Sequence, residues 1–489
     1  MKYGIVRTCL LLAAALSAAL AAVQPPGLAL AARELHAQPD ASIRTLHFTR
    51  GEAVVVSSSG RDDANQLTNL RRFYSIYNGD AVVMGRAGAG RTLQEACAAE
   101  FFLPAGSGTI RWYDPDGQLW HAAALSPFAL RAGCAVVTMN HGGEALFYTP
   151  KVYEPQGAGT LRYLPELDGS LEIQATKAGW RIRLAMPALP EGCFADYTAV
   201  FSCGSLFEGP EVLDAYWRNY TLDTEGKWCF DGYYFPSPGT YSPTGENCLY
   251  RLPAAYLCKS FAYGAPSVRA AEDLAAATLD TMLLQQNALG YFPTLPESQW
   301  LSDSYGMGGG FYDTRFNTDL TEIYTKFDSW APCAEFDAAL NRYFSFFLEF
   351  ASAHHTETSG GGWLVEDYWS PGGGRKTHTS LNHQLAEILT LYRSAERLSR
   401  PDLSKLADRM LQAVCDTASG WIRSDGNLHY AVYADGSFGG EDYPYLTYND
   451  LYSLRQYLQA HGRSVPELQA LMDAKLAWMQ ANGVTGYLS

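Results

Sequence analysis

Two hydrophobic periods divide this chain. From Ile43 to about Cys203 the apolar residues come in short runs: Ala53–Val56, Ala81–Met84, Ala135–Thr138 and Trp180–Leu184. Turn signals separate them, among them Asn78-Gly79, Asp114-Pro115-Asp116-Gly117 and Asp168-Gly169. Short β-prone runs between such turns predict strands. Long helical periodicity is scarce there, so residues 43–205 read as a β-sandwich-like domain. From Gly209 the period lengthens. Pro210–Tyr220 predicts a helix, and Asp223–Asn247, rich in Gly, Pro, Tyr and Asp, a long loop. Helical spacing then recurs at Ser267–Gln286, Thr318–Phe327, Glu335–Ser352, Ser380–Leu398, Pro401–Cys415, Thr447–Ala460 and Val465–Gln480. Helix pairs joined by Gly- and aromatic-rich loops predict a helical-hairpin (α/α) toroid over 209–489, with no repeat of the solenoid kind. The fold class is multidomain α and β.

The first residues change the picture of where the chain works. Lys2 and Arg7 precede an apolar run, Cys9–Val23, and Ala29-Leu30-Ala31 offers a small-x-small cleavage site. This pattern predicts a secretory signal peptide over 1–31 and an exported protein, secreted or associated with the cell envelope. An uncleaved anchor is the one membrane attachment this reading leaves open.

Composition narrows the partners. The chain of 489 residues carries a net charge of −15 and shows no basic stripe, which argues against nucleic acid. Its 31 tyrosines and 11 tryptophans suit sugar handling, although core packing uses the same residues. Ten cysteines include Cys9 in the signal; Cys193 with Cys203, and Cys229 with Cys248, are near enough in sequence to pair. No CxxC and no zinc-finger histidine spacing is present, which argues against a structural zinc site.

Candidate chemistry centres on Gly360–Arg393. There Glu366-Asp367-Tyr368 precede the glycine loop Pro371–Gly374, and Arg375, Lys376 and His378 follow it. Thr379 or Ser380 is the expected cap of the next helix. Ionisable groups of both signs beside a loop suit proton transfer on an anionic substrate. Three further clusters stand out. Tyr312–Asp319 offers Arg315 as a carboxylate fork and Asp319 as a helix cap. Asp416–Trp421 reads as a turn, and Glu441–Leu451 as a helix entry. No nucleophile elbow, P-loop, dinucleotide fingerprint or H-E-x-x-H is present, so acid/base work by carboxylate, tyrosine and histidine is what remains.

These motifs, in this order, resemble the C-terminal domain of D-glucuronyl C5-epimerases. The matching residues are Trp363, Glu366-Asp367-Tyr368, Leu381-Asn382-His383, Leu391-Tyr392, Asp416–Gly420, Asp442-Tyr443, Asn449 and Leu451, all between about Glu335 and Leu458. His383 stands where the family has glycine, Pro444 where it has histidine, and the family's Gln-Gly-Gln helix start is absent. The resemblance implies a helical toroid after a β region. It implies proton abstraction and return at C5 of uronate residues in an anionic polysaccharide, with Tyr368 and Tyr443 as acid/base groups and Asp367 beside the first. That chemistry requires no metal or organic cofactor. Charge adds Arg315 or Lys376 as the carboxylate clamp, with His378, Asn382 and Glu366 as further binding residues, and a nearby cation is expected to favour the charged form of the tyrosines. The activity reads as a carbohydrate epimerase. The rivals are a polysaccharide lyase, a glycoside hydrolase using Asp313, Asp319, Glu366 and Asp367, and a non-catalytic glycan-binding envelope protein, which the changes at His383 and Pro444 favour.

Overall fold

The computed structural model describes residues 41–488 apart from 63–65, 94–95, 115–118, 141, 187, 209–221 and 223. The signal segment, the Pro210–Tyr220 helix and the turn after Asp114 lie outside the described residues.

Most strands of the first half pair antiparallel into one large sheet. Its path runs through Ser42–Phe48, Gly51–Asp62, Leu67–Ser75, Ala81–Ala89, Phe194–Ser202 and Lys151–Gly157. Alternation along each strand sorts the side chains between two cores. Val56, Phe73, Val83 and Ala199 face a second, four-stranded sheet made of Ala96–Pro104, Gly179–Met186, Ser170–Thr176 and Phe128–Leu130. Val55, Tyr74, Val82 and Val200 face the helices. Phe194–Ser202, covered on both faces, buries all nine of its residues.

The stretch expected to be a long loop, Asp223–Asn247, contains strands. Lys227–Cys229 and Gly232–Pro236 join Cys248–Arg251 at the end of the large sheet. These runs are too short to show a period, yet Trp228, Cys229, Tyr233 and Tyr234 are buried. The sheet therefore extends to Arg251, beyond the change of texture at Gly209.

The expected disulfides do not form: Cys193, Cys203, Cys229 and Cys248 are all free. Cys193 and Cys203 lie at opposite ends of the extended strand Phe194–Ser202. Nine residues at roughly 3.3 Å each hold them far apart. Cys229 and Cys248 sit on strands separated by Gly232–Pro236.

Nine α-helices follow among the described residues: α1 (Tyr256–Gly264), α2 (Arg269–Leu283), α3 (Gln299–Tyr305), α4 (Thr314–Asp328), α5 (Ala334–Ala353), α6 (Leu381–Arg397), α7 (Pro401–Trp421), α8 (Leu446–Ala460) and α9 (Pro466–Ala481). Apart from the short α3 they form four hairpins in two rows. Helices α1, α4, α6 and α8 pack side by side, with α2, α5, α7 and α9 outside them. Helix α6 is enclosed, and Leu381 to Tyr392 are all buried. This is the two-layered packing of helical hairpins expected of an α/α toroid.

The predicted turn Asp416–Gly420 is instead the last part of α7. Trp421 is fully buried with its ring edge-on to Phe438, 5.0 Å between centroids, and holds the helix to its end. Gly420 permits the contact, since a Cβ there would lie 2.5 Å from the Phe438 ring. Asp416 accepts from Gly360 N at 2.9 Å, tying α7 to the hairpin His355–Glu357/Trp363–Val365 that leads into Glu366-Asp367-Tyr368.

That hairpin lies directly on α7. A Cβ at Gly362 would stand 2.2 Å from the backbone nitrogen of Ala413, which cannot yield without moving the helix. Gly362→Ala is expected to destabilise the protein by about 1–3 kcal/mol, the usual scale for overpacking. A denaturant titration measures it; an unchanged midpoint contradicts the close approach.

Candidate active site

The first turns of the inner row of helices converge on one cavity of about 670 Å³. Tyr256 opens α1, Asp313 and Arg315 bracket the start of α4, Asn382 and His383 lie at the start of α6, and Tyr443 and Leu446 at the start of α8. Tyr368 and Trp300 complete the wall, their rings edge-on at 5.8 Å.

Of the residues expected from sequence, Tyr368, Tyr443, Arg315 and Asn382 line this cavity. Four others do not, and each has a physical reason. Lys376 is exposed, and its Nζ donates to the carbonyl of His355 at 2.9 Å. Glu366 is buried, accepting from Thr377 N at 2.9 Å with His354 Nδ1 at 3.7 Å. His378 is buried, its Nδ1 hydrogen-bonded to the Tyr305 hydroxyl at 2.7 Å. Asp367 lies beneath the cavity wall and is 1% exposed. It accepts from the backbone N and hydroxyl of Ser380 at 2.9 and 2.5 Å, and stands 3.2 Å from His378 Nε2 and 3.6 Å from His383 Nδ1. Burial pushes its carboxyl up, but the two imidazoles and Ser380 outweigh that and hold it below the usual aspartate range.

Sequence reasoning undervalued two residues. It treated His383 as a departure from a motif, whereas His383 lines the cavity with Asp367 behind it and Thr314 Oγ1 at 2.8 Å from its Nδ1. Burial lowers this imidazole to about 4, against the pull of Asp367. Its place at the first turn of a helix, right after Asn382, was the available signal. Asp313, named only as a hydrolase carboxylate, caps α4 by accepting from Phe316 N at 2.9 Å, the role expected of Asp319. Burial raises it to about 7, partly offset by that bond.

Asp319 instead accepts from Arg315 Nε at 3.0 Å. Arg315 also donates to Asp450 at 2.7 Å and to the Asn382 carbonyl at 3.1 Å. Two carboxylates already engage its guanidinium, which corrects the expectation of a free carboxylate clamp. The tyrosines depart from expectation too. Burial, then Tyr430 and Asp313, hold Tyr368 well above the ordinary value. Desolvation, then Asp313 and Asp442, raise Tyr443, and the opposing pull of Arg315 is smaller. Burial thus favours the protonated form of both hydroxyls. The loop bearing Tyr443 is pinned by Lys475 of α9, fully buried, whose Nζ lies 2.7 Å from Asp442 Oδ2, Asn427 Oδ1 and the Tyr443 carbonyl. Among the described residues no group of three or more His, Cys, Asp or Glu is arranged to hold a metal ion.

No family model matches the chain, and no curated protein matches it. The likeness to glucuronyl C5-epimerases therefore rests on the motifs alone. Among solved structures the chain is similar to a D-mannose isomerase, at 11% identity over 49% of this chain and 63% of that one, with a TM-score of 0.36. A family 76 alpha-mannanase of Bacteroides thetaiotaomicron gives 16% identity, 47% and 61% coverage, and 0.34. A cellobiose 2-epimerase of Spirochaeta thermophila gives 15%, 47%, 59% and 0.35. The chain spans less than two thirds of each of these proteins, and similarity at this level carries no argument about activity.

Glu387 sits one helical turn beyond His383 on α6, buried, with Oε1 lacking a hydrogen-bond partner. Burial raises it to about 8 from 4.5. A carboxyl whose folded value exceeds its unfolded value favours the fold below the unfolded value. That contribution is lost as pH rises through the folded one. Glu387→Gln cannot ionise, so its melting temperature relative to the natural protein is expected to rise between pH 5 and pH 9. A difference that stays flat across that range contradicts the burial of an ionisable group there.

Proposed function

We propose that this cavity is an acid/base site that moves a proton at a carbon of a sugar residue. His383 is the base, its ring held by Thr314 with Asp367 behind it, and Asp313 and Tyr443 are the proton donors. One observation carries the reading. Within a single cavity wall the protonation states are driven apart: a neutral imidazole, an ionised carboxylate behind it, and a carboxyl that keeps its proton to near neutrality. Titratable groups separated in this way mark acid and base partners. Seven aromatic rings around them, Trp300 and Tyr443 included, suit the faces of a sugar. The motif resemblance supports epimerisation, with C5 of a uronate as the carbon it implies.

A second reading is glycoside hydrolysis. Asp313, protonated near neutrality, would be the acid and Asp319, which lines the same cavity, the partner carboxylate.

The base must be neutral, which holds above about pH 4, and the acid must be protonated, which holds below about pH 7. The rate is therefore expected to follow a bell between those limits. His383→Asn and Asp313→Asn should each lower it by roughly 10²–10⁴, the scale for one acid/base group. Uptake of deuterium from heavy water into a sugar C–H, read by NMR, is the assay. Uptake that survives both substitutions overturns the assignment. Chain cleavage without uptake gives the site to the hydrolytic reading.

A further inference from the structure

We propose that the cavity takes the reducing end of an uncharged oligosaccharide, not a uronate residue; this rests on the acid/base reading above and names its substrate.

Four observations point the same way. The first is that the partly buried cation of the lining is engaged. Arg315 is held by Asp319 and Asp450, and Glu322, on the same wall, pairs with Arg393. Lys259, exposed in the cavity lining, is the cation there without an ion-pair partner among the described residues. The second concerns the helix ends, which attract anions by their dipoles. The protein's own carboxylates already occupy two of the four that open on the cavity: Asp313 on α4 and Asp367, through Ser380 N, on α6. The third is Asn382. It is 2% exposed in the cavity lining, and its Oδ1 has no hydrogen-bond partner. An amide oxygen accepts from a sugar hydroxyl and repels a carboxylate set against it. The fourth is the distribution of exposed rings. Tyr256, Tyr263, Trp300 and Tyr443, 41–53% exposed, all line this cavity. They offer uncharged faces to further sugar units, while the net charge of −15 repels a polyanion at long range.

The substrate class fixes the reacting carbon. A sugar C–H becomes acidic beside a carbonyl. Among the described residues the lining holds no buried, unpaired cation to grip a uronate carboxylate, so that carbonyl is taken as the aldehyde C1 of an opened reducing end, and the hydrogen as the one on C2. The C2–H bond breaks and its proton goes to His383. The electron pair forms the C1–C2 double bond, and the carbonyl oxygen takes the proton of Asp313, giving an enediol. Tyr443 gives its proton to the other face of C2 while the enediol hydroxyl returns its proton to Asp313, giving the epimer; His383 then loses its proton to water and Tyr443 regains one from it. Return of a proton to C1 instead gives the ketose. Atoms and electrons balance without an oxidant or reductant.

The test uses the full chain and three probes: neutral reducing gluco- and manno-oligosaccharides, their alditols, and a glucuronate disaccharide. Calorimetry is expected to show the neutral reducing sugars binding at least about tenfold more tightly than the glucuronate sugar and than the alditols. Trp300→Ala should weaken them by up to about tenfold and Trp300→Phe by much less, the melting temperature being unchanged. Heavy water should place deuterium at C2. Tighter binding of the glucuronate sugar, strengthening as salt is lowered, overturns the proposal, as does deuterium at C5 of the uronate. Alditols that bind as well as the reducing sugars overturn it also. Deuterium at C5 would leave the acid/base reading standing. The expected binding order with no uptake anywhere supports the uncharged substrate and removes the acid/base reading instead.

Discussion

The arrangement of the cavity depends on one buried carboxylate. Asp367 accepts two hydrogen bonds from Ser380 at the start of α6, and its backbone carbonyl accepts from Thr314 N at the start of α4, 3.0 Å away. Its backbone N donates to the His378 carbonyl at 3.0 Å, closing the glycine loop onto itself. An ionised group this deep persists only because so many donors surround it. Asp367 thus ties two inner helices together, its carboxylate holding α6 and its backbone carbonyl α4, with the His383 ring 3.6 Å from that carboxylate.

How much of this was legible beforehand differs by residue. Helices such as Arg269–Leu283 and Leu446–Ala460 lay within two or three residues of their expected bounds, since their apolar spacing is long and regular. The short strands Lys227–Cys229 and Gly232–Pro236 were not legible: three to five residues carry no period, and their burial comes from a sheet built mostly of distant segments. The end of α7 was missed because Ser419 and Gly420 look like a stop, while Phe438 and Trp421 supply a tertiary reason to continue.

The site follows the same rule. Tyr368 and Tyr443 stood out by motif, and they reach the cavity. The charged residues near them in sequence, Lys376 and Glu366, do not, because the glycine loop turns them toward His355 and Thr377. Sequence proximity measures distance along a chain, whereas the cavity is assembled from the starts of four separate helices. Protonation was harder still to read. The value of about 4 at His383 and about 7 at Asp313 come from desolvation, which no local pattern displays.

The shared sheet has a consequence for how this molecule can be divided. Val55, Tyr74, Val82 and Val200 share one core with the helices, α2 and α5 pack on the sheet, and the edge strands at 227–251 come from beyond the first 200 residues. Arg269 of α2 reaches back to Asp80 at 2.9 Å. A fragment ending near residue 205 would bare one whole face and one edge of the sheet to water, the combination that drives strand-to-strand aggregation. The two halves differ in texture but share one hydrophobic core across the sheet.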